Sequence, residues 1–437
     1  MSVLVIGTLD TKGPEIAYLR DRIRSHGVDV VVADSGILGG PLDIVPDVTR
    51  EDVAVMAGTT IEVLRNAGSR GKAVHGMLAG LRVLAQRLYS DGRLQGVVTM
   101  GGAEGAVLGA SAMMGLPIGI PKLIVTPIAS GHRKFGPLVG TKDVMIVHSV
   151  IDILGLNPIS CAVFDNIAAA MAGMATGGYA AAHTPGTPLA RDGVRRVAIT
   201  MLGQTTKGVM AVRDALLAHG IESVIFHANG VGGPAMEELA AEGMFEGVVD
   251  YTTNELSGEI QHGFHDAGPE RLRRIGRLGL PQVVVPGGLD FATHGRPEAI
   301  PPAVQGRAEY FHNPEFTLVR SSADEMAELG RRFSDRLNEA KGPVAVMVPT
   351  EGLSIPAVPG GLFWDPEADA GFLRELRAGL RPDIPVTTHA WHINAPEFAT
   401  IVAERMVALL ERVRRPGASA PGVPAGTDTR RSDSNSQ

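Results

Sequence analysis

The chain repeats itself. Residues 3–41 read VLVIGTLDTKGPEIAYLRDRIRSHGVDVVVADSGILGGP, and residues 196–234 read RVAITMLGQTTKGVMAVRDALLAHGIESVIFHANGVGGP. Each copy gives an apolar run, a turn ending in Thr-Lys-Gly, a helix-period stretch, His-Gly, a second apolar run and Gly-Gly-Pro. A self-match of this kind sets the fold before any single motif does. The implied class is α/β: two tandem Rossmann-like subdomains with mostly parallel sheets, related by internal duplication. The match continues with a shifted register, because Gly-Val-Val recurs at 96–98 and 247–249. The spacing shortens by about 42 residues before that point, so the first copy carries an extra segment within residues 42–90.

Continuous β-branched runs such as VLVIG (3–7), VDVVVA (28–33), GVVTM (96–100), KLIVT (122–126) and DVMIVHSV (143–150) read as strands buried on both faces. VAITM, SVIFH, GVVDY, QVVVP, AVMVP and IPVTTH repeat the pattern in the second half. The helix-period stretches between them, including residues 61–90, 162–182 and 395–413, argue for doubly wound parallel sheets. Pro14 suits the first position of a helix running to Ser25. The domains expected are 1–183, a Pro/Gly-containing linker at 184–193, a second subdomain at 194–413 and a disordered polar tail at 414–437.

At 437 residues, 44% hydrophobic and 20% charged, the composition is that of a globular protein. A net charge of −7 without a Lys/Arg block speaks against a nucleic-acid partner. Apolar runs broken by Pro and Gly speak against a membrane span. No charged-then-apolar leader precedes the first strand, and Cys161 is the single cysteine. A cytoplasmic protein is the expectation, with Cys161 a buried small hydrophobe in ISCAVF.

Ligands of parallel α/β sheets bind at the carboxyl ends of the strands, near a switch in strand order. Three first-half turns stand at such ends. GTLDTKG supplies Gly7, Thr8, Asp10, Thr11 and Lys12 ahead of a helix, and a helix N-terminus beside a lysine attracts phosphate. The plain alternative is a capped turn. GGAEG supplies Gly101, Gly102, Glu104 and Gly105, a possible anion nest. The aligned stretch of the second copy, TTNEL, keeps a glutamate (Glu255) but no glycine. Glycines present in one copy alone point to a phosphate approaching the first half. The long segment 125–149 is Gly-rich and cationic, with Thr126, Ser130, Gly131, His132, Arg133, Lys134, Gly140, Thr141 and Lys142. It is either a fold over phosphates or a solvated surface loop.

No Walker A, serine elbow, H-E-x-x-H or paired-cysteine pattern occurs. The second half offers His227, Glu255, Asp290 and His392 at strand ends as acid/base candidates. His262 and His265 fall three apart on an expected helix.

Taken in order, GTLDTK, GLPIGIPKLIV followed by ASG, GTKD…SVIDILG, AITMLGQTTKGV, HANGVGGPAMEEL and HINAPEFA resemble one family from Val3 to about Leu410. It comprises the ATP-binding inhibitory domain of the tomato mosaic virus resistance protein and its bacterial relatives. The resemblance implies ATP held by the N-terminal subdomain and a homodimer. It adds Asp34, Ser35 and Gly36 to the nucleotide-contacting turns. Lys12 would balance phosphate charge, Gly101–Gly105 would cradle it, and Asp10 or Glu104 would hold Mg²⁺ or the ribose. The GGAEG turn departs from the family's Gly/Ser-rich form, and the chain ends in a polar tail where plant members carry a barrel-type domain. Two other readings stay open. One is a metabolic enzyme acting on a small phosphorylated or carboxylated second ligand between the subdomains. The other is a regulatory module that ATP stabilises.

Overall fold

A computed structural model describes residues 2–68, 70–129, 136–178 and 193–414. The chain divides into two compact units, residues 1–191 and 192–437. The expected linker, apart from Gly193, and the tail beyond Arg414 lie outside the described residues.

In the first unit, strands β1 (Ser2–Gly7), β2 (Asp29–Asp34), β3 (Leu94–Met100), β4 (Lys122–Thr126) and β5 (Met145–His148) form one parallel sheet in the order β2-β1-β3-β4-β5. β1 is buried along its whole length, and its alternating side chains feed two separate cores. Val3 and Val5 pack with Ile16, Leu19 and Ile23 of α1 (Leu9–Ser25). Leu4 and Ile6 face the other layer. That layer is built from α2 (Arg50–Met56), α3 (Ile61–Arg65), α4 (Arg70–Ser90) and α5 (Ala103–Met114). α6 (Gly136–Val139) is a single turn. A strand covered on both faces has no polar side to show, which is why it reads as an unbroken apolar run.

The expected helix over 61–90 is two helices. They are separated by a turn in which Gly68 takes φ +76°. α1 also departs from expectation. It opens at Leu9 and breaks at Lys12 (φ −126°, ψ 16°), two residues before Pro14. Pro14 has no N–H for the Asp10 carbonyl and its ring crowds it, so the first turn is set off from the rest.

Helix α7 (Pro158–Gly177) starts four residues earlier than its apolar stretch suggests. Asn157 accepts from the Ile159 and Ser160 amides at 3.0 and 3.1 Å, and Pro158 fills the first position. By length and composition alone this helix could cross a membrane, against the sequence expectation. One face nevertheless lies in the core through Phe164, Ile167, Met171 and Ala175. Cys161, expected buried, is half-buried and free.

The second unit repeats the order. Strands β6 (Arg196–Met201), β7 (Glu222–His227), β8 (Gly247–Thr252) and β9 (Gln282–Gly287) join β13 (Val344–Pro349) and β14 (Val386–His389) in one parallel sheet. The sheet runs β14-β13-β9-β8-β6-β7, so the first four strands of each copy are arranged alike. Its helices are α8 (Thr206–Ala218), α9 (Gly232–Ala241), α10 (Asn254–Gln261), α11 (Arg274–Leu278), α12 (Ala323–Leu337), α13 (Pro366–Gly379) and α14 (Pro396–Arg414). The extra segment of the first copy resolves into α2 and α3. The second copy instead carries an unanticipated antiparallel sheet, β10 (Phe291–His294), β12 (Phe316–Arg320) and β11 (Glu309–Asn313), in that order.

Candidate functional site

The order β2-β1-β3 places the switch point of the first sheet at the ends of β1 and β3, between chains that leave in opposite directions. Beneath it sits Asp34, the last residue of β2 and fully buried. Its Oδ1 accepts from the Leu9 and Gly36 amides at 3.1 and 2.8 Å. Its Oδ2 lies 2.8 Å from Nη2 of the equally buried Arg50 on α2. Burial pushes the Asp34 carboxyl up, while the Gly36 amide and Arg50 oppose that shift. Asp34 therefore ties three segments together from beneath the cavity, with its Oδ2 meeting Arg50 as an ion pair and making no hydrogen bond.

The β1–α1 turn is closed by its own backbone, with the Thr11 and Lys12 amides on the Thr8 carbonyl at 3.1 and 2.9 Å. The Thr8 and Thr11 hydroxyls meet at 3.0 Å. The break at Lys12 lets its Nζ reach the Ile153 carbonyl. Gly13 is required by packing, because a Cβ there would stand 1.8 Å from the Leu42 carbonyl oxygen. Asp10 accepts from the Gly39 amide at 3.1 Å, which folds the loop after β2 back onto this turn.

The β3–α5 turn is different. Gly102 is the N-cap of α5 and gives it no side-chain cap. The first bond along the helix is Ala106 N–H to the Gly102 carbonyl, at 2.9 Å. The amides ahead of it have no acceptor inside the helix. Gly102 has φ −67°, and a Cβ built on it meets nothing within 4 Å. Neither the backbone nor the packing demands glycine there. Gly101, by contrast, packs against the Gly105 Cα.

These turns enclose a cavity of about 910 Å³, within the size range of small-molecule and cofactor sites. Thr8, Asp10, Thr11 and Lys12 line one side, and Gly102 to Gly105 another. Ser35 to Leu38 form the β2 side. Leu64, Arg65, Gly68, Ala73 and Asp152 complete the lining. Arg65 is held by the Ile37 carbonyl at 2.7 Å. Nothing in the residue types at Leu64, Arg65, Gly68 and Ala73 marks them as ligand-facing; the one sign in the sequence is that they fall within 42–90, where the first copy carries its extra segment.

Of the remaining expected contacts, Gly7, Asp34 and Gly101 support the turns without lining the cavity. Thr126, Gly140 and Thr141 stand outside it too. Gly140 (φ +52°) packs on Met114. Ser130, Gly131, His132, Arg133 and Lys134 lie outside the described residues. Asp10 and Glu104 both face the cavity, but no group of three or more His, Cys, Asp or Glu suited to a metal forms among the described residues.

The matching switch point of the second unit is filled by the protein. Thr205 and Thr252 share a hydroxyl contact of 2.7 Å. Asn254 donates to the Gly288 and Phe291 carbonyls. Glu255 is fully buried, takes the Gly230 and Gly233 amides at 3.0 Å each and pairs with Arg271 at 2.5 Å. Arg271 also meets Glu237 and Asp250, so three buried carboxylates share one guanidinium. Asp290 is buried on the Ser354 hydroxyl at 2.5 Å. Both His392 nitrogens are engaged, with the Ser354 carbonyl at 2.9 Å and the Asn394 amide at 3.1 Å. His227 is exposed at the end of β7. His262 and His265 do not share a helix: His262 caps α10 in the left-handed region, and His265 bonds Asn254 at 2.8 Å beyond it.

Two family models match the chain. The N-terminal domain of uncharacterised protein family UPF0261 covers residues 1–180, and the C-terminal domain of the same family covers residues 195–410. A UPF0261 protein of Clostridium tetani is 34% identical over 411 residues, 94% of this chain and 99% of that protein. One from Mesorhizobium japonicum is 36% identical over 403 residues, 92% and 97% of the respective chains. The ToMV resistance protein Tm-1(GCR237) of Solanum lycopersicum is 33% identical over 430 residues, which is 94% of this chain but 56% of the tomato protein. With both halves matched in order over nearly their whole length, the chain belongs to the UPF0261 family.

Proposed function

We propose that the N-terminal unit is an ATP-binding module. One observation carries this reading: an open cavity at the switch point whose floor is a helix N-terminus capped by a glycine that the protein's own structure does not need. Backbone amides and the helix dipole suit a polyphosphate, and Lys12 brings a cation to the same space. The apolar wall of Ile37, Leu38, Leu64 and Ala73 suits a base. Asp10 and Glu104 are hard oxygen donors of the kind that share Mg²⁺ with phosphate oxygens. No cluster of three such ligands forms among the described residues, so in this reading the ion arrives on the nucleotide. The homodimer belongs to the same proposal and is read by sedimentation.

The test is titration calorimetry and thermal melting of the full chain with Mg·ATP. At 100 times Kd the ligand adds about 2.7 kcal/mol, which for a unit of this size raises its melting temperature by roughly 5–10 °C. Lys12→Ala should weaken binding by roughly 10- to 150-fold, the loss of one charge-assisted contact. No heat and no shift at millimolar Mg·ATP would refute the reading.

A further inference from the structure

The wall of the cavity holds one polar group with nothing to do. Ser35 follows β2 directly and is 1% exposed. Its amide donates to the Gly7 carbonyl at 2.9 Å, which fixes the residue beside the end of β1. Its hydroxyl oxygen is buried and finds no hydrogen-bond partner among the described residues. Ser35 nonetheless lines the cavity. A buried hydroxyl without a partner costs free energy; the nearby Asp34 Oδ2 and Arg50 Nη2 also make no hydrogen bond but face each other as an ion pair at 2.8 Å, whereas the Ser35 hydroxyl has neither. Asp34 is fully buried, does not line the cavity and is held by Leu9, Gly36 and Arg50. The acidic residue at this strand end that commonly takes a nucleotide sugar in doubly wound folds is therefore out of a ligand's reach here.

The cavity is also polarised. Amides, Lys12 and the α5 N-terminus lie at the β1 and β3 ends. Apolar side chains and Arg65 lie beyond the β2 end. Ser35, whose amide bonds Gly7 at the end of β1 and which precedes Ile37 by two residues, stands at the junction of the two. A ligand with an anionic tail at one end and a flat apolar group at the other passes its sugar across Ser35.

We propose that Ser35 reads the sugar of the bound nucleotide, donating its hydroxyl to, or accepting from, a ribose hydroxyl, and so discriminates ribonucleotides from deoxyribonucleotides. The proposal rests on the ATP-binding reading and adds a specificity-determining residue to it.

The experiment titrates the full chain and its Ser35→Ala variant with the Mg²⁺ complexes of ATP, 2′-deoxy-ATP, 3′-deoxy-ATP and inorganic tripolyphosphate. The wild-type chain should bind one of the deoxy analogues roughly 3- to 10-fold more weakly than ATP, the worth of one neutral hydrogen bond. Ser35→Ala should lose the same factor for ATP, stop distinguishing that analogue, and bind tripolyphosphate unchanged. It should melt no lower than the wild type without ligand, since no bond within the protein is removed. Equal affinities of the wild-type chain for all three nucleotides overturn the proposal without any variant, as does a Ser35→Ala chain that discriminates normally. Tripolyphosphate binding as tightly as ATP overturns it while leaving the anion site intact. Failure of both ATP and tripolyphosphate to bind overturns the ATP reading, and this inference with it.

Discussion

Replacing Gly102 by serine should raise stability and lower nucleotide affinity together. Gly102 holds the N-cap of α5 at φ −67°, ψ −161°, extended backbone that serine adopts readily. The new Cβ has no atom within 4 Å to meet. A serine oxygen at that position accepts from the second or third amide of the helix. Better capping adds a few tenths of a kcal/mol, and the stiffer unfolded chain adds to it, for a total of roughly 0.5–1 kcal/mol. In a unit of this size that is about 2–3 °C in melting temperature. The same oxygen occupies the place of a phosphate oxygen. Losing one charge-assisted bond, about 1.5–3 kcal/mol, weakens Mg·ATP binding by roughly 10- to 150-fold. Gly109→Ser, seven residues along the same helix, is the control. Its Cβ would lie 2.2 Å from the Thr99 side chain, so it should lose about 1–3 kcal/mol of stability instead. Calorimetric titration and thermal melting of the two variants give both quantities. A Gly102→Ser chain that binds ATP like the wild type would refute the placement of the phosphates.

Two further predictions concern the second unit. Arg271→Met leaves Glu237, Asp250 and Glu255 buried without their shared cation, so urea unfolding should report a loss of about 3–5 kcal/mol; a loss under 1 kcal/mol would mean the cluster is solvated. Burial pushes the Glu237 carboxyl up to about 7 from 4.5, against the pull of Arg271. The native state then holds a proton that the unfolded chain has released, so the stabilisation is complete below about pH 4.5 and is lost as pH rises through 7. Burial lowers His265 to about 4 and works in the opposite direction over this range, so the reading is the difference between the wild type and Glu237→Gln: the urea midpoint of the wild type relative to the variant should fall between pH 5 and pH 7.5. A difference that stays constant or rises over that range would contradict the assignment.

Much of the architecture is legible in the chain. The β-branched runs at 3–7, 96–100 and 122–126 are strands because burial on two faces leaves them no polar period. The matched turns mark the strand ends because both copies had to solve the same strand-to-helix reversal. The antiparallel sheet escaped notice because β11 reads EYFHN, mostly exposed, with no alternation of burial to betray it. The break inside 61–90 escaped because helical periodicity continues across Gly68. Asn394 reads as a cap for the last helix. It instead accepts from the Gly208 amide at 3.0 Å and donates to the Gln204 carbonyl, steadying the start of α8. Charge partners are the least legible. Nothing in TTNEL announces that Glu255 will meet Arg271, sixteen positions on, with two further acids beside it.

The ion pair between Asp34 and Arg50 has a consequence for how the two copies can diverge. Arg50 arrives with the segment that only the first copy possesses, yet it neutralises a carboxylate under the shared strand-end turn. Trimming that segment would strand a charge in a dry interior. A chain without α2 would have to replace Asp34 too, so the strand-end turn of the first unit depends on a segment that the second unit lacks, although the first four strands of the two units follow the same order.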